Sequence, residues 1–113
     1  PGLSHQIMLM MSRKIREDQQ MKLLLSRLNS DSRIAAFLLN ISAHFRERGF
    51  SATRFRLSMS RNEIGDYLGL AVETVSRSFT RLQKHGLIRV DGRETEIVDF
   101  TELCALAGGE VEL

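Results

Sequence analysis

The feature that most limits how this chain folds is a pair of glycines four residues apart, Gly65 and Gly69, set inside a stretch of helical periodicity. Just upstream, Ser60-Arg61-Asn62-Glu63 has the spacing of a capping box. In such a box the serine and glutamate side chains satisfy N–H groups that a first helical turn leaves open. A helix therefore begins at Arg61. Gly69 stops it, because glycine takes the positive φ of a sharp turn without strain. A second helix is expected from near Val72 to about Lys84, with Gly86 at its end. Ile64 and Leu68 on the first helix, with Leu70, Val75, Phe79 and Leu82 after it, supply a shared apolar core. Gly65 is small where the second helix must come close.

A helix, a tight glycine turn and a second helix form a helix-turn-helix unit, in which the second helix enters the major groove of DNA. Glu73, Ser76 and Arg77 stand at i, i+3 and i+4 near the start of that helix. Arginine can donate two hydrogen bonds to guanine, glutamate can accept from cytosine, and serine can touch a base edge or a thymine methyl. An i,i+4 Glu–Arg surface ion pair would also account for this spacing, but the position at the helix start favours base contact. Thr74, Thr80, Arg81 and Lys84 on the same helix, with Arg61 on the first, are candidate phosphate contacts, which hold register without reading sequence. Arg56, Arg89 and Arg93 are weaker candidates of that kind. His85 reads as a helix-end residue beside negative carbonyls.

On either side of this unit the chain alternates short elements. Ile34, Phe37, Leu38, Ile41 and Phe45 share one helical face between a cap at Asn29 or Ser30 and a stop at Gly49. Asp31 falls near that helix's positive end. Residues 55–59 alternate as a strand, with Phe55, Leu57 and Met59 on one side. Residues 87–90 and 95–98 form a hairpin around an expected Asp91-Gly92 turn, where a wing would follow the second helix. Asp99 and Glu102 open a last helix that packs Cys104 and ends at Gly108-Gly109. The expected fold is mainly α with a small β-sheet: a winged helix-turn-helix domain over residues 29–113, preceded by a long dimerisation helix over 1–28. On that helix Met8, Met11, Ile15 and Leu25 follow a coiled-coil spacing, interrupted by Asp18 and Lys22. A helix apolar on two sides needs two partners, and a second subunit is one of them. Asp18 either keeps that seam weak or pairs with Lys22 on a wet surface.

Net charge is only +2, but it is unevenly spread. Residues 43–90 hold nine Lys and Arg against four Asp and Glu, while residues 91–113 hold one against seven. A basic block on a small domain is the electrostatic footprint of a phosphate binder. The single cysteine allows no disulfide framework. No apolar stretch is long enough to span a bilayer, so a reducing, cytoplasmic setting is expected. His5, His44, His85 and Cys104 lack metal-ligand spacing, and no nucleophile–base pair or phosphate loop occurs, which argues against an enzyme. Because Pro1 is no initiator methionine, the chain is expected to be part of a longer protein. A protein-interaction module without DNA remains an alternative, though it would not need Glu73, Ser76 and Arg77 clustered at a helix start.

The run from Ser60 to Leu70, followed by Val72-Glu73-Thr74-Val75-Ser76-Arg77, resembles the helix-turn-helix of the CRP/FNR superfamily of transcription regulators. Glu-Thr-Val-Ser-Arg is similar to the branch of the fumarate and nitrate reduction regulator, since the cyclic-AMP receptor branch carries glycine where Ser76 stands. Residues 15–21 and 102–108 also resemble the anaerobic regulators of that branch. The resemblance implies that Glu73, Ser76 and Arg77 read bases of a TTGAT half-site, in a palindrome bound by a homodimer. A cyclic-nucleotide-branch regulator would instead read TGTGA. It further implies an activator that contacts RNA polymerase, with an iron–sulfur cluster held by cysteines of an N-terminal sensor domain. Those cysteines are not in this sequence, so this chain should neither bind the cluster nor sense oxygen. Two departures stand out. Ala71 replaces a capping Ser or Thr, a loss of roughly 1 kcal/mol, and Ser78 replaces an apolar residue. Both suggest a slightly looser unit.

Overall fold

In the computed structural model, which describes residues 29–113, Asn29 caps the first helix, α1 (Ser30–Glu47), by accepting the Ser32 N–H at 3.0 Å. Residues 1–28, with the expected dimer seam of Met8, Met11, Ile15, Asp18 and Leu25, lie outside the described residues. The expected apolar face of α1 is present, but Ala35, Ala36 and Leu39 are buried as well. The reason is tertiary. This helix is the centre of the fold, with other helices packed on more than one side of it.

Strand β1 (Arg54–Arg56) is shorter than the expected 55–59. Beyond it, Leu57 still donates its N–H to the Arg93 carbonyl at 2.8 Å before the chain leaves the sheet. Helices α2 (Arg61–Leu68) and α3 (Val72–Lys84) follow, then β2 (Ile88–Asp91), β3 (Glu94–Ile97) and α4 (Phe100–Ala107). The three strands form one antiparallel sheet in the order β1-β3-β2.

Asp91 pairs with Glu94, so the two-residue turn is Gly92-Arg93 and not Asp91-Gly92. Gly92 has φ +61° and Arg93 does not share that sign, the pattern of a turn with glycine at its first central position. That register puts Thr95 and Ile97 into the core with Phe55 and Ile88, and leaves Arg54, Arg56, Arg89 and Glu94 exposed. One core unites Ile34, Leu38, Phe55, Ile64, Phe79 and Leu103. Asp99 caps α4 by accepting the Glu102 N–H at 3.0 Å. Cys104 packs into the core as expected, and burial pushes its thiol pKa up.

Candidate nucleic-acid interface

The expected capping box closes in both directions. Ser60 Oγ accepts the Glu63 N–H at 3.1 Å, and Glu63 Oε1 accepts the Ser60 N–H at 2.9 Å. The Ser60 backbone bond, seconded by the Ser60 side chain, holds the Glu63 carboxyl below the usual glutamate range. Helix α2 then ends on Gly69 in a left-handed conformation, φ 71° and ψ 36°. Leu70 N–H returns to the Gly65 carbonyl at 2.8 Å and locks the turn. A Cβ on Gly65 would stand 2.5 Å from the Leu70 carbonyl oxygen but 3.5 Å from Val75 Cγ2. The close neighbour that demands glycine is thus the carbonyl of the turn; the second helix comes only into ordinary contact.

Ala71 gives α3 no side-chain cap, in line with the sequence. Val75, Phe79 and Leu82 hold the helix down. At about 100° per residue, Glu73, Ser76, Arg77, Thr80 and Lys84 fall within an arc of roughly 100° on the opposite side. All five are exposed, whereas Thr74 is half-buried at the flank. Glu73 and Arg77 do not pair with each other. The ion pairs among the described residues are Arg54–Glu96, Arg56–Glu94, Arg89–Glu96 and Arg81–Asp31. The surface ion pair that could have explained the spacing is not formed.

The expected phosphate contacts separate into different environments. Lys84 is exposed at the end of α3. Thr80 donates its hydroxyl proton to the Ser76 carbonyl at 3.0 Å. Arg61 lies over the Phe79 ring, 3.7 Å from its centroid, and burial pulls its pKa below the ordinary arginine value. Arg81 departs from expectation. Its Nε donates to Asp31 Oδ2 at 2.9 Å and Oδ1 at 3.1 Å, and its Nη2 to Oδ1 at 2.9 Å. Asp31 is 3% exposed, and a buried carboxylate needs a cation and hydrogen bonds to offset its lost hydration. Asp31 therefore serves Arg81 and not only the helix end. The hydrogen bond to Asp31 raises the Arg81 pKa further.

Ser78 belongs to the same cluster. It is fully buried, donates to Ser30 Oγ at 2.6 Å and lies 3.4 Å from Arg81 Nη2. Its hydroxyl is therefore partnered, and the looseness expected from a serine at an apolar position is corrected: α1 supplies the polar partner. Sequence reasoning missed this cluster, and a serine at a core position of α3 was the signal that a buried partner had to exist.

The weaker wing candidates are occupied locally. Arg54 and Arg89 flank Glu96 at 3.4 and 3.3 Å, and Arg56 meets Glu94 at 3.3 Å. These exposed pairs hold little energy. Arg93 donates to the Ser58 carbonyl at 2.6 Å and ties the wing turn to the loop before α2. Among the described residues, no group of three or more His, Cys, Asp or Glu could hold a metal ion, and no helix is long and apolar enough to cross a membrane.

Residues 32–106 match the Crp-like helix-turn-helix domain family. The chain is 66% identical to the transcriptional activator protein anr of Pseudomonas aeruginosa over 112 residues, covering 99% of this chain and 46% of that protein. It is 51% identical to the fumarate and nitrate reduction regulatory protein of Vibrio cholerae, covering 96% of this chain and 43% of that protein. Among solved structures, FixK2 of Bradyrhizobium japonicum superimposes with a TM-score of 0.61 at 33% identity, covering 91% of this chain and 50% of that one. The chain spans less than half the length of the two regulators.

Proposed function

The chain belongs to the Crp-like helix-turn-helix family, and from that premise we propose that it reads a TTGAT-type palindrome in double-stranded DNA through α3, as the DNA-binding part of a transcription activator. The carrying observation is that Glu73, Ser76 and Arg77 are exposed together at the start of α3, with Glu73 and Arg77 forming no ion pair among the described residues. Two charges one turn apart and unpaired are free to meet base edges. In this reading Arg77 donates two bonds to guanine O6 and N7, Glu73 accepts from a cytosine N4, and Ser76 touches the neighbouring base. Lys84, Thr74 and Arg61 hold phosphates, with Arg61 braced against Phe79. Thr80 is a weaker phosphate donor than the sequence suggests, since its proton is already given to Ser76. Arg81 leaves the phosphate set, because Asp31 holds its guanidinium.

A palindrome requires two copies, and the reading assigns pairing to Met8, Met11, Ile15, Asp18 and Leu25. It places the protein in the cytoplasm, in contact with RNA polymerase. An iron–sulfur cluster of the kind the resemblance implies is held by several cysteine thiolates. This chain has one cysteine, and Cys104 is buried. The residues present do not fit the cluster, which the reading assigns to a sensor domain outside this sequence.

The test is fluorescence anisotropy of the chain on labelled TTGAT and TGTGA duplexes at two salt concentrations. The expected result is tighter binding to TTGAT. Arg77→Ala should lose about 1–3 kcal/mol there and relax preference at its base, with an unchanged melting temperature. A TGTGA preference would move the chain to the other branch. Equal binding that weakens steeply with salt would leave only the phosphate attraction and refute base reading.

A further inference from the structure

We propose that the Asp31–Arg81 ion pair and the Ser30–Ser78 hydrogen bond form a clasp that sets the seating of α3 on α1, which makes Asp31, Ser78 and Arg81 positioning residues for sequence reading. The inference rests on the reading of α3 as the base-contacting helix.

The four side chains join the first turn of α1 to the middle and last turn of α3. Arg81 grips both carboxylate oxygens of Asp31, at 2.9 and 3.1 Å through Nε, and adds a contact to Ser30 Oγ at 3.4 Å. Ser78 donates to that same Ser30 oxygen at 2.6 Å. Asp31 and Ser78 are 3% and 0% exposed, so the acceptor carboxylate and the serine hydroxyl are shielded, while the Arg81 side chain keeps its outer side in solvent at 41% exposed.

Apolar packing alone would not do the same work. Val75, Phe79 and Leu82 keep α3 against the core, but burial of apolar surface is non-directional and supplies no bond that selects one helix rotation among well-packed alternatives. The arginine fork is directional and planar. A rotation of about 20° on a helix of about 5–6 Å radius moves its side-chain tips by about 2 Å. That exceeds what a bidentate bond to a base edge tolerates.

Stability does not explain the clasp either. Replacing an ion pair that has a buried member by well-packed apolar residues is often neutral or stabilising. A polar cluster at that place is accounted for by geometry, with the two helices held in one register.

The sequence-level alternative, Arg81 on a phosphate, predicts the opposite sign for a change at Asp31. Freed from its carboxylate, Arg81 would bind DNA better. Under the clasp, the same change costs discrimination. The experiment measures binding of the full 113-residue chain and its variants to the TTGAT and TGTGA duplexes at two salt concentrations, with thermal unfolding alongside. In Asp31→Asn and Arg81→Met alike, the ratio of the two affinities should fall about tenfold with the salt dependence unchanged. Ser78→Ala should move it in the same direction. Asp31→Glu, which keeps the charge pair, should recover part of the ratio. The double variant Asp31→Leu with Arg81→Met leaves no orphaned charge and should keep its melting temperature while still losing the ratio. A purely structural role would weaken both duplexes equally and overturn the proposal. So would tighter binding of both duplexes by Asp31→Asn, or a smaller salt dependence with an intact ratio in Arg81→Met. A parent chain that fails to distinguish the duplexes would overturn base reading itself and the clasp with it. A parent that distinguishes them, with variants that do so equally well, would overturn the clasp alone.

Discussion

Gly65 and Gly69 lie in one turn-forming segment yet require glycine for different reasons, and alanine substitution separates them. Alanine within a helix is favoured over glycine by about 1 kcal/mol on propensity alone, so Gly65→Ala judged locally should stabilise α2. The structure reverses the sign. The new methyl would meet the Leu70 carbonyl oxygen at 2.5 Å. That carbonyl cannot readily withdraw, because the N–H of Leu70 is bonded to Gly65 at 2.8 Å and Gly69 before it is left-handed. Relieving the clash requires prying the turn open. Overpacking of this kind costs about 1–3 kcal/mol, and a stretched Leu70–Gly65 bond adds about 1 kcal/mol. After the propensity gain is subtracted, the net loss is about 1–3 kcal/mol. At about 4–8 °C per kcal/mol for a domain of this size, the melting temperature should fall by roughly 5–20 °C. At Gly69 an added Cβ meets nothing within 4 Å. The cost there is the left-handed backbone, about 1–2 kcal/mol for alanine, and Gly69→Asn should recover part of it. Asparagine at position 65 should recover nothing. Thermal unfolding followed by far-ultraviolet circular dichroism reads all four variants. A Gly65→Ala chain that melts at or above the parent would refute the argument, since propensity would then outweigh the clash.

Two further outcomes follow from local contacts. The Glu63 carboxyl is held below its usual range by its bonds to Ser60, so the folded chain takes up that proton less readily than the unfolded one. Its contribution is present above the ordinary glutamate value and is lost as pH falls through the lowered one. The melting-temperature advantage of the parent over Glu63→Gln should therefore shrink below about pH 4, and a pH-independent difference would contradict this. Thr95 is 1% exposed, and its hydroxyl has no partner among the described residues. Thr95→Val keeps the shape and removes a dehydrated hydroxyl, so it should stabilise the domain by about 1 kcal/mol, read as a rise in urea midpoint with an unchanged slope; an unchanged or lower midpoint would mean that the hydroxyl is satisfied.

Much of this protein is written in rules that act over a few residues. Ser60 and Glu63 fixed the start of α2 because a capping box is complete within four positions. Gly69 ended it because the turn needs a positive φ. The exposed face of α3 follows from helical period alone, so Glu73, Ser76 and Arg77 are legible in the sequence as neighbours on one face. Local rules failed where pairing between elements decided the outcome. The hairpin turn slipped by one residue because cross-strand pairing, not the Asp-Gly dipeptide, decides which residues close the loop. The burial of Ala35, Ala36 and Leu39 was hidden because α1 is covered on more than one side. Arg81 looked like its exposed neighbours on α3, and Asp31 like an ordinary helix-start acid. Each is one of many identical charges in the sequence, and only the packing of α1 against α3 brings those two within 2.9 Å and buries the Asp31 carboxylate.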